Sequence, residues 1–71
     1  MLVCFVKGKE GNIITRINGV IAVPDRDAWY GFYYPKAGEI WDVGIMRDKG
    51  NILFLRPIKK CGLRDIIERR E

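Results

Sequence analysis

The stretch that decides the fold is NIITRINGVIAVP, residues 12–24. Read as a strand, its first half places Ile13, Thr15 and Ile17 on one face and Ile14 and Arg16 on the other. Asn18-Gly19 follows, and an Asn-Gly pair between two such runs is a strong hairpin signal because both central residues of a type I′ turn need positive φ. The stretch therefore predicts a β-hairpin with strands at residues 12–17 and 20–23.

Strand-like runs also occur on either side of this hairpin. Three further strands are predicted at residues 2–7, 39–46 and 51–58, with turn chemistry at residues 8–11 and 47–50. Residues 24–38 sustain neither a strand nor a helix period, so we expect a long loop there. These features predict an all-β fold, a small five-stranded OB-like barrel, and a Src-homology-type barrel fits the same strand count.

The period changes near the C-terminus. Leu63, Ile66 and Ile67 fall on one helical face, which predicts a short amphipathic helix at residues 63–70. A helix this short is not stable alone, so it should dock on the barrel or on a partner. We expect residues 1–60 to form the barrel and residues 61–71 to form this helix.

The composition restricts the chemistry that the chain can perform. The sequence contains no His, Ser or Gln, and Thr15 carries its only aliphatic hydroxyl. Serine–histidine triads, cysteine–histidine pairs and histidine metal sites are therefore excluded. The carboxylates could still supply an acid–base pair, but most lie beside turns, where solvated or capping roles are usual. We therefore expect that the protein is not an enzyme and binds neither a metal ion nor a cofactor.

The two cysteines and the lengths of the apolar runs indicate in which cellular compartment the protein is expected. Cys4 and Cys61 lack metal-ligand spacing, so they are either ordinary thiols or, in a thermophile, a disulfide. Ten isoleucines, no Gln and abundant Lys, Arg and Glu are typical of proteins from hot environments. No apolar run approaches the ~20 residues that span a bilayer, and we expect a cytoplasmic protein with no membrane partner.

The net charge of +4 favours a polyanionic ligand, because Lys and Arg gain affinity by releasing counterions from phosphates. Residues 1–55 carry seven basic and six acidic side chains, whereas residues 56–71 carry six basic and three acidic ones. The C-terminal segment should therefore contribute to phosphate binding. The alternative is a solvated, charged helix with no ligand.

Aromatic residues crowd the predicted loop: Trp29, Tyr30, Phe32, Tyr33 and Tyr34. So small a core cannot bury them all, so we expect Trp29 and Phe32 to plug the barrel and the tyrosines to stack on unpaired bases. Trp41 alternates with apolar neighbours and is predicted to lie in the core. An exposed aromatic loop equally suits a protein partner or a homodimer.

Nucleic acid is thus the predicted ligand, and the candidate contacts combine basic and aromatic side chains. The candidate nucleic-acid-binding residues are Arg16, Arg26, Tyr30, Tyr33, Tyr34, Lys36, Arg47, Lys49 and Arg56.

Residues 11–24, followed by AGEIWDVGI at residues 37–45 and a closing strand, resemble the TRAM domain. That family is a small OB-like RNA-binding barrel, found on RNA-modifying enzymes or alone in archaea. The resemblance implies binding to structured RNA through Arg16 and Lys49, so that RNA, single-stranded or structured, is expected more than DNA; a chain of this length is similar to the stand-alone archaeal group. Thr15 departs from the family pattern, which usually has Ala there.

Overall fold

The structure is a computed structural model that describes residues 1–30 and 34–62. Its strands are β1 (Leu2–Cys4), β2 (Val6–Lys7), β3 (Ile13–Ile17), β4 (Val20–Pro24), β5 (Ile40–Asp48) and β6 (Ile52–Cys61). This part of the chain consists of strands, turns and loops and contains no helix. The predicted all-β class is confirmed, whereas the predicted helix at residues 63–70 lies outside the described residues.

The six strands form a nearly closed barrel in the order β1-β5-β6-β4-β3-β2. β4 and β6 pair in parallel, with Ala22 opposite Leu53, and the other pairings are antiparallel. β1 and β2 lie at opposite ends of this order but are separated in the chain only by Phe5, which brings the two ends together. Across this seam the Thr15 hydroxyl donates a hydrogen bond of 2.9 Å to the Cys4 carbonyl.

The prediction of five strands is wrong because the predicted first strand, residues 2–7, is divided at Phe5. The Phe5 side chain is fully buried. Its N–H donates to the Glu39 carbonyl at 2.9 Å, and its carbonyl accepts from the Gly38 N–H at 2.7 Å. The chain therefore pairs with β5 before Phe5 and with β3 after it. Apolar composition cannot show this exchange, since both halves look like strand.

The predicted hairpin between β3 and β4 is confirmed. Asn18 has φ 51° and Gly19 has φ 81°, the positive values that a type I′ turn requires. Thr15 lies opposite Ala22 and both are buried, while Arg16 between β-branched neighbours is exposed. In this hairpin the side chains of Thr15 and Ala22 therefore point into the barrel, and that of Arg16 points to solvent.

Two tryptophans occupy the barrel interior. The buried core consists of Val3, Phe5, Ala22, Trp29, Trp41, Val43 and Leu55. The Trp29 ring contacts Trp41 with centroids 4.7 Å apart and Phe5 at 5.9 Å, both edge to face. Its indole N–H donates to the Leu55 carbonyl at 3.0 Å. The predicted burial of Trp29 and Trp41 is confirmed, and Phe32 lies outside the described residues.

β6 continues through Pro57 to Cys61, three residues beyond the predicted end at residue 58. The pairing with β5 steps from Val43 opposite Pro57 to Asp42 opposite Lys59, so Ile58 is left unpaired in a bulge. A bulge accommodates proline, which has no N–H to donate to the ladder. The basic residues after position 55 therefore begin on a barrel strand.

Candidate nucleic-acid interface

The outward side of the central strands forms one surface, which we call the outer face. Strand pairing places Arg16, Ile21 and Ile52 in one row and Val23, Phe54 and Arg47 in the next. Paired residues project to the same side of a sheet, and their inward neighbours Ala22 and Leu55 are fully buried. The outer face therefore combines cations with half-exposed apolar side chains.

Two turns lie at the ends of this surface. Residues 8–11 connect β2 to β3 and close with a hydrogen bond of 3.0 Å from the Gly11 N–H to the Gly8 carbonyl. Residues 49–51 connect β5 to β6 beside Ile52, which pairs with Ile21 near the start of β4. The antiparallel pairing of β3 with β4 puts the first turn toward the other end of β4. A ligand lying along the outer face would pass both turns.

A groove of about 430 Å³ lies beside the first turn; its charged lining consists of Lys9, Glu10 and Arg16, and its apolar lining consists of Ile14, Ile21, Val23 and Ile52. A second cavity of about 400 Å³ adjoins it and adds Lys7 and Thr15. Both cavities are lined by Gly8, Lys9, Ile14 and Arg16, so they form one continuous depression. Arg16 is confirmed as an exposed residue of β3.

Lys7 and Lys9 were not among the contacts predicted from the sequence, although Lys7 precedes the turn at residues 8–11 and Lys9 lies within it. Within the described chain, neither they nor Arg16 form an ion pair. Their charges are thus available to a ligand. The sequence did contain a feature that could have indicated these two lysines, because they lie at the loop between the first two predicted strands, and in an OB-fold that loop borders the binding face.

Arg47 and Phe54 form a second cluster on the outer face. The Arg47 guanidinium lies over the Phe54 ring, 4.9 Å from its centroid, and forms an ion pair with Asp25. Lys49 Nζ is 6.0 Å from the same ring. The hydrogen bond from Arg47 holds the pKa of Asp25 below its ordinary value of 3.8, against the opposing effect of burial. Phe54 was not among the predicted contacts, since nothing in the sequence pairs it with Arg47.

Trp29, Tyr30 and Tyr34 lie next to this cluster. A cavity of about 440 Å³ is lined by Arg26, Trp29, Tyr30 and Tyr34. Tyr30 is 88% exposed, and Tyr34 is 41% exposed with its ring 6.3 Å from the Trp29 ring. Arg26 also lines the cavity beside Arg47, so the two cavities share a wall. Tyr33 lies outside the described residues.

The structure brings some predicted contacts together and separates others. Arg26, Tyr30 and Tyr34 meet at one cavity, and Arg47 and Lys49 meet at Phe54. The Arg56 guanidinium covers Gly44 on β5 so closely that a Cβ there would lie 3.0 Å from Cζ. Lys36 is exposed, but among the cavities formed by described residues it lines none.

The positive charge resides on the barrel and not on the tail. Residues 63–71 hold three basic and three acidic side chains, so the remaining chain keeps the net charge of +4. Of the basic residues counted in the C-terminal segment 56–71, Arg56, Lys59 and Lys60 lie on β6, and they carry the net positive charge of that segment. Of these, Lys60 forms an ion pair of 3.2 Å with Glu39.

Glu39 is held by several donors away from the outer face. Its carboxylate accepts from the Lys36 backbone N–H at 2.9 Å and from the Trp41 indole N–H at 3.1 Å. Burial alone would raise the pKa of Glu39, but these bonds and the Lys60 ammonium together lower it below 4.5. The cluster anchors the start of β5.

Within the described residues, no three Asp, Glu or Cys side chains are grouped to hold a metal ion. No helix in this part of the chain is long and apolar enough to cross a bilayer.

Cys4 and Cys61 are free thiols. Both pair with Ile40 on opposite sides of β5. An intervening strand separates their Cα atoms by about 9 to 10 Å, which is too far for a disulfide.

Comparison with protein-family models, with characterised proteins and with solved structures gives no match at a significant level. The geometry of the outer face is therefore the basis for the function proposed below.

Proposed function

We propose that this chain binds single-stranded nucleic acid, RNA in preference to DNA, and performs no chemistry on it. The observation that carries the proposal is the depression beside the first turn. There Lys7, Lys9 and Arg16, which form no ion pair with any described residue, line the depression together with the apolar residues Ile14, Ile21 and Ile52.

The two kinds of side chain suit the two parts of a single strand. Phosphates gain affinity from Lys and Arg through counterion release. Unpaired bases are largely apolar on their faces and pack on aromatic or aliphatic surfaces. Ile14, Ile21 and Ile52 offer such a surface at the centre of the outer face, with cations lining the same groove. A duplex would present only its phosphates to this surface and would leave the apolar contacts unmade.

The strand arrangement supports an OB-type barrel of the TRAM kind. In the OB-fold the second and third strands form the binding face, and the loops between strands one and two and between strands four and five flank it. Here β3 and β4 occupy the place of that face, and the turns at residues 8–11 and 49–51 occupy the place of those loops. The preference for RNA and an archaeal origin follow from the TRAM resemblance, and a cytoplasmic location is also part of this proposal.

The test is a salt-dependent titration of a labelled ten-nucleotide single-stranded RNA, followed by fluorescence anisotropy. Replacing Arg16 with Ala should weaken binding and lower the slope of log affinity against log salt by about 0.7, the value for one lost contact to a single strand. Lys59→Ala is the matched control, because Lys59 lies on β6 beyond the bulge and lines no described cavity of the outer face.

Equal slopes for the Arg16 and Lys59 variants would show that the depression is not the binding site. Absence of binding to RNA and DNA strands at low salt and micromolar protein would refute the proposed function altogether. A tenfold excess affinity for a duplex over the single strand would contradict the role of the apolar surface.

A second candidate function is a protein interaction through the aromatic loop, with a partner or a second copy. The high exposure of Tyr30 favours it, because exposed Tyr is enriched in protein interfaces. Light scattering at increasing protein concentration tests the homodimer. A dimer that Tyr30→Ala dissociates would support this function, and a monomer throughout would contradict self-association.

A further inference from the structure

Arg47 differs from the other cations of the outer face because two groups, an aromatic ring and a carboxylate, fix its guanidinium. The Phe54 ring lies beneath it at 4.9 Å, and the Asp25 carboxylate binds one of its amino groups. The Asp25 side chain is 3% exposed, whereas that of Arg47 is 50% exposed. One part of the guanidinium is thus held by the protein, and the rest is open to a ligand.

Asp25 is itself held rigidly. Its carboxylate accepts from the N–H groups of Asp27 at 2.9 Å and Ala28 at 3.3 Å, and its own N–H donates to the Leu55 carbonyl at 2.9 Å. Leu55 is fully buried in the core. The position of Arg47 is therefore set by a chain of bonds that ends in the barrel interior, so little side-chain entropy remains to be lost on binding.

The cavity beside Arg47 is poorly suited to a phosphate. It measures about 310 Å³, and its charged lining consists of Arg26 and Arg47 together with Asp25 and Asp27. Two guanidinium groups and two carboxylates leave no net charge to release counterions from a phosphate. What this cavity offers is a planar surface, since Arg guanidinium planes and aromatic rings both stack on unpaired bases.

The geometry points to Arg47, supported by Phe54 and positioned by Asp25, as a stacking platform for one unpaired base of a single strand. This inference rests on the proposed function and assigns phosphate contacts and base contacts to two different places on the outer face. Arg16 with its lysine neighbours contacts phosphates, while Arg47 contacts a base.

The experiment compares Arg47→Lys with the wild-type chain, because Lys keeps the charge that can pair with Asp25 but lacks the planar face. Two probes are used, a ten-nucleotide single-stranded RNA and inorganic polyphosphate, which carries phosphates and no bases. Arg47→Lys should weaken RNA binding about fivefold or more, the factor that ~1 kcal/mol of lost stacking represents. Its affinity for polyphosphate and the salt slope should stay unchanged.

Arg16→Ala serves as the contrast, since it should weaken binding to both probes and lower the salt slope. Phe54→Leu removes the ring beneath Arg47 and should reproduce the selective loss on RNA. Thermal unfolding of each variant verifies that it is folded before titration.

If Arg47→Lys binds RNA as tightly as the wild-type chain, Arg47 acts through its charge and the platform is refuted. An equal loss on RNA and polyphosphate refutes it as well. Failure of the wild-type chain to bind RNA would instead overturn the proposed function, and the two failures are therefore distinguishable.

Discussion

Trp29 is the side chain on which the barrel interior should depend most. It is 2% exposed, it contacts Phe5 and Trp41, and its N–H bonds to the Leu55 carbonyl. Replacing a buried Trp with Ala costs about 3 to 5 kcal/mol. A chain of 71 residues has a total stability of roughly 4 to 10 kcal/mol. Trp29→Ala should therefore remove about half of the free energy of unfolding or more.

Trp29→Phe gives a graded measurement in case the Ala variant does not fold. Phe keeps an aromatic ring in the core but loses part of the indole volume and the hydrogen bond to Leu55, which is worth about 1 kcal/mol. The Leu55 carbonyl is not orphaned, since it still accepts from the Asp25 N–H at 2.9 Å. We expect a loss of about 1 to 3 kcal/mol.

Urea unfolding measures both variants, with fluorescence from Trp41, the second of the two tryptophans in the chain, as the reporter. With a slope near 1 kcal/mol per molar, the midpoint should fall by about 1 to 3 M for Trp29→Phe. Tyr30→Ala is the control, because Tyr30 is 88% exposed and its loss should cost under about 0.5 kcal/mol. If Trp29→Phe is as stable as Tyr30→Ala, the role assigned to Trp29 is wrong.

Two further predictions concern the hairpin and acid stability. Gly19→Ala should destabilise the barrel by about 1 kcal/mol or more, because φ is 81° at this position and a residue with a Cβ is strained there. An added Cβ would meet no atom within 4 Å, so the backbone strain is the only expected cause. An unchanged midpoint of urea unfolding would contradict this prediction. The lowered pKa values of Asp25 and Glu39 mean that the unfolded chain binds more protons. The free energy of unfolding should be constant above about pH 5 and should decrease as the pH falls through 4.5 and below 3.8. Glu39→Gln should make this decrease smaller. If the free energy of unfolding depends on pH in the same way in the wild-type and Glu39→Gln chains, Glu39 is not a cause of the decrease.

Local features of this fold could be read from the sequence. The Asn18-Gly19 turn and the alternation of Thr15 with Arg16 were both predicted, because turn chemistry and the two-residue period of a strand are contained within a few residues. The burial of Trp41 followed from the same period. The division of the first strand at Phe5 was not predictable, because it depends on two strands that come later in the chain.

The candidate site was predicted only in part, for the same reason. Arg16 belongs to a strand whose outward face is evident from alternation alone. Arg47 was predicted as a contact, but its ion pair with Asp25 and its place on Phe54 were not.

The sequence by itself determined the all-β class, the hairpin and the outward position of Arg16, since each depends on neighbouring residues. Only the tertiary structure decided which side chains meet on the outer face. Asp25 follows β4, Arg47 lies on β5 and Phe54 lies on β6, and the pairing of β6 with both β4 and β5 brings the three together. Contacts of this kind form between residues distant in the chain, so no local pattern records them.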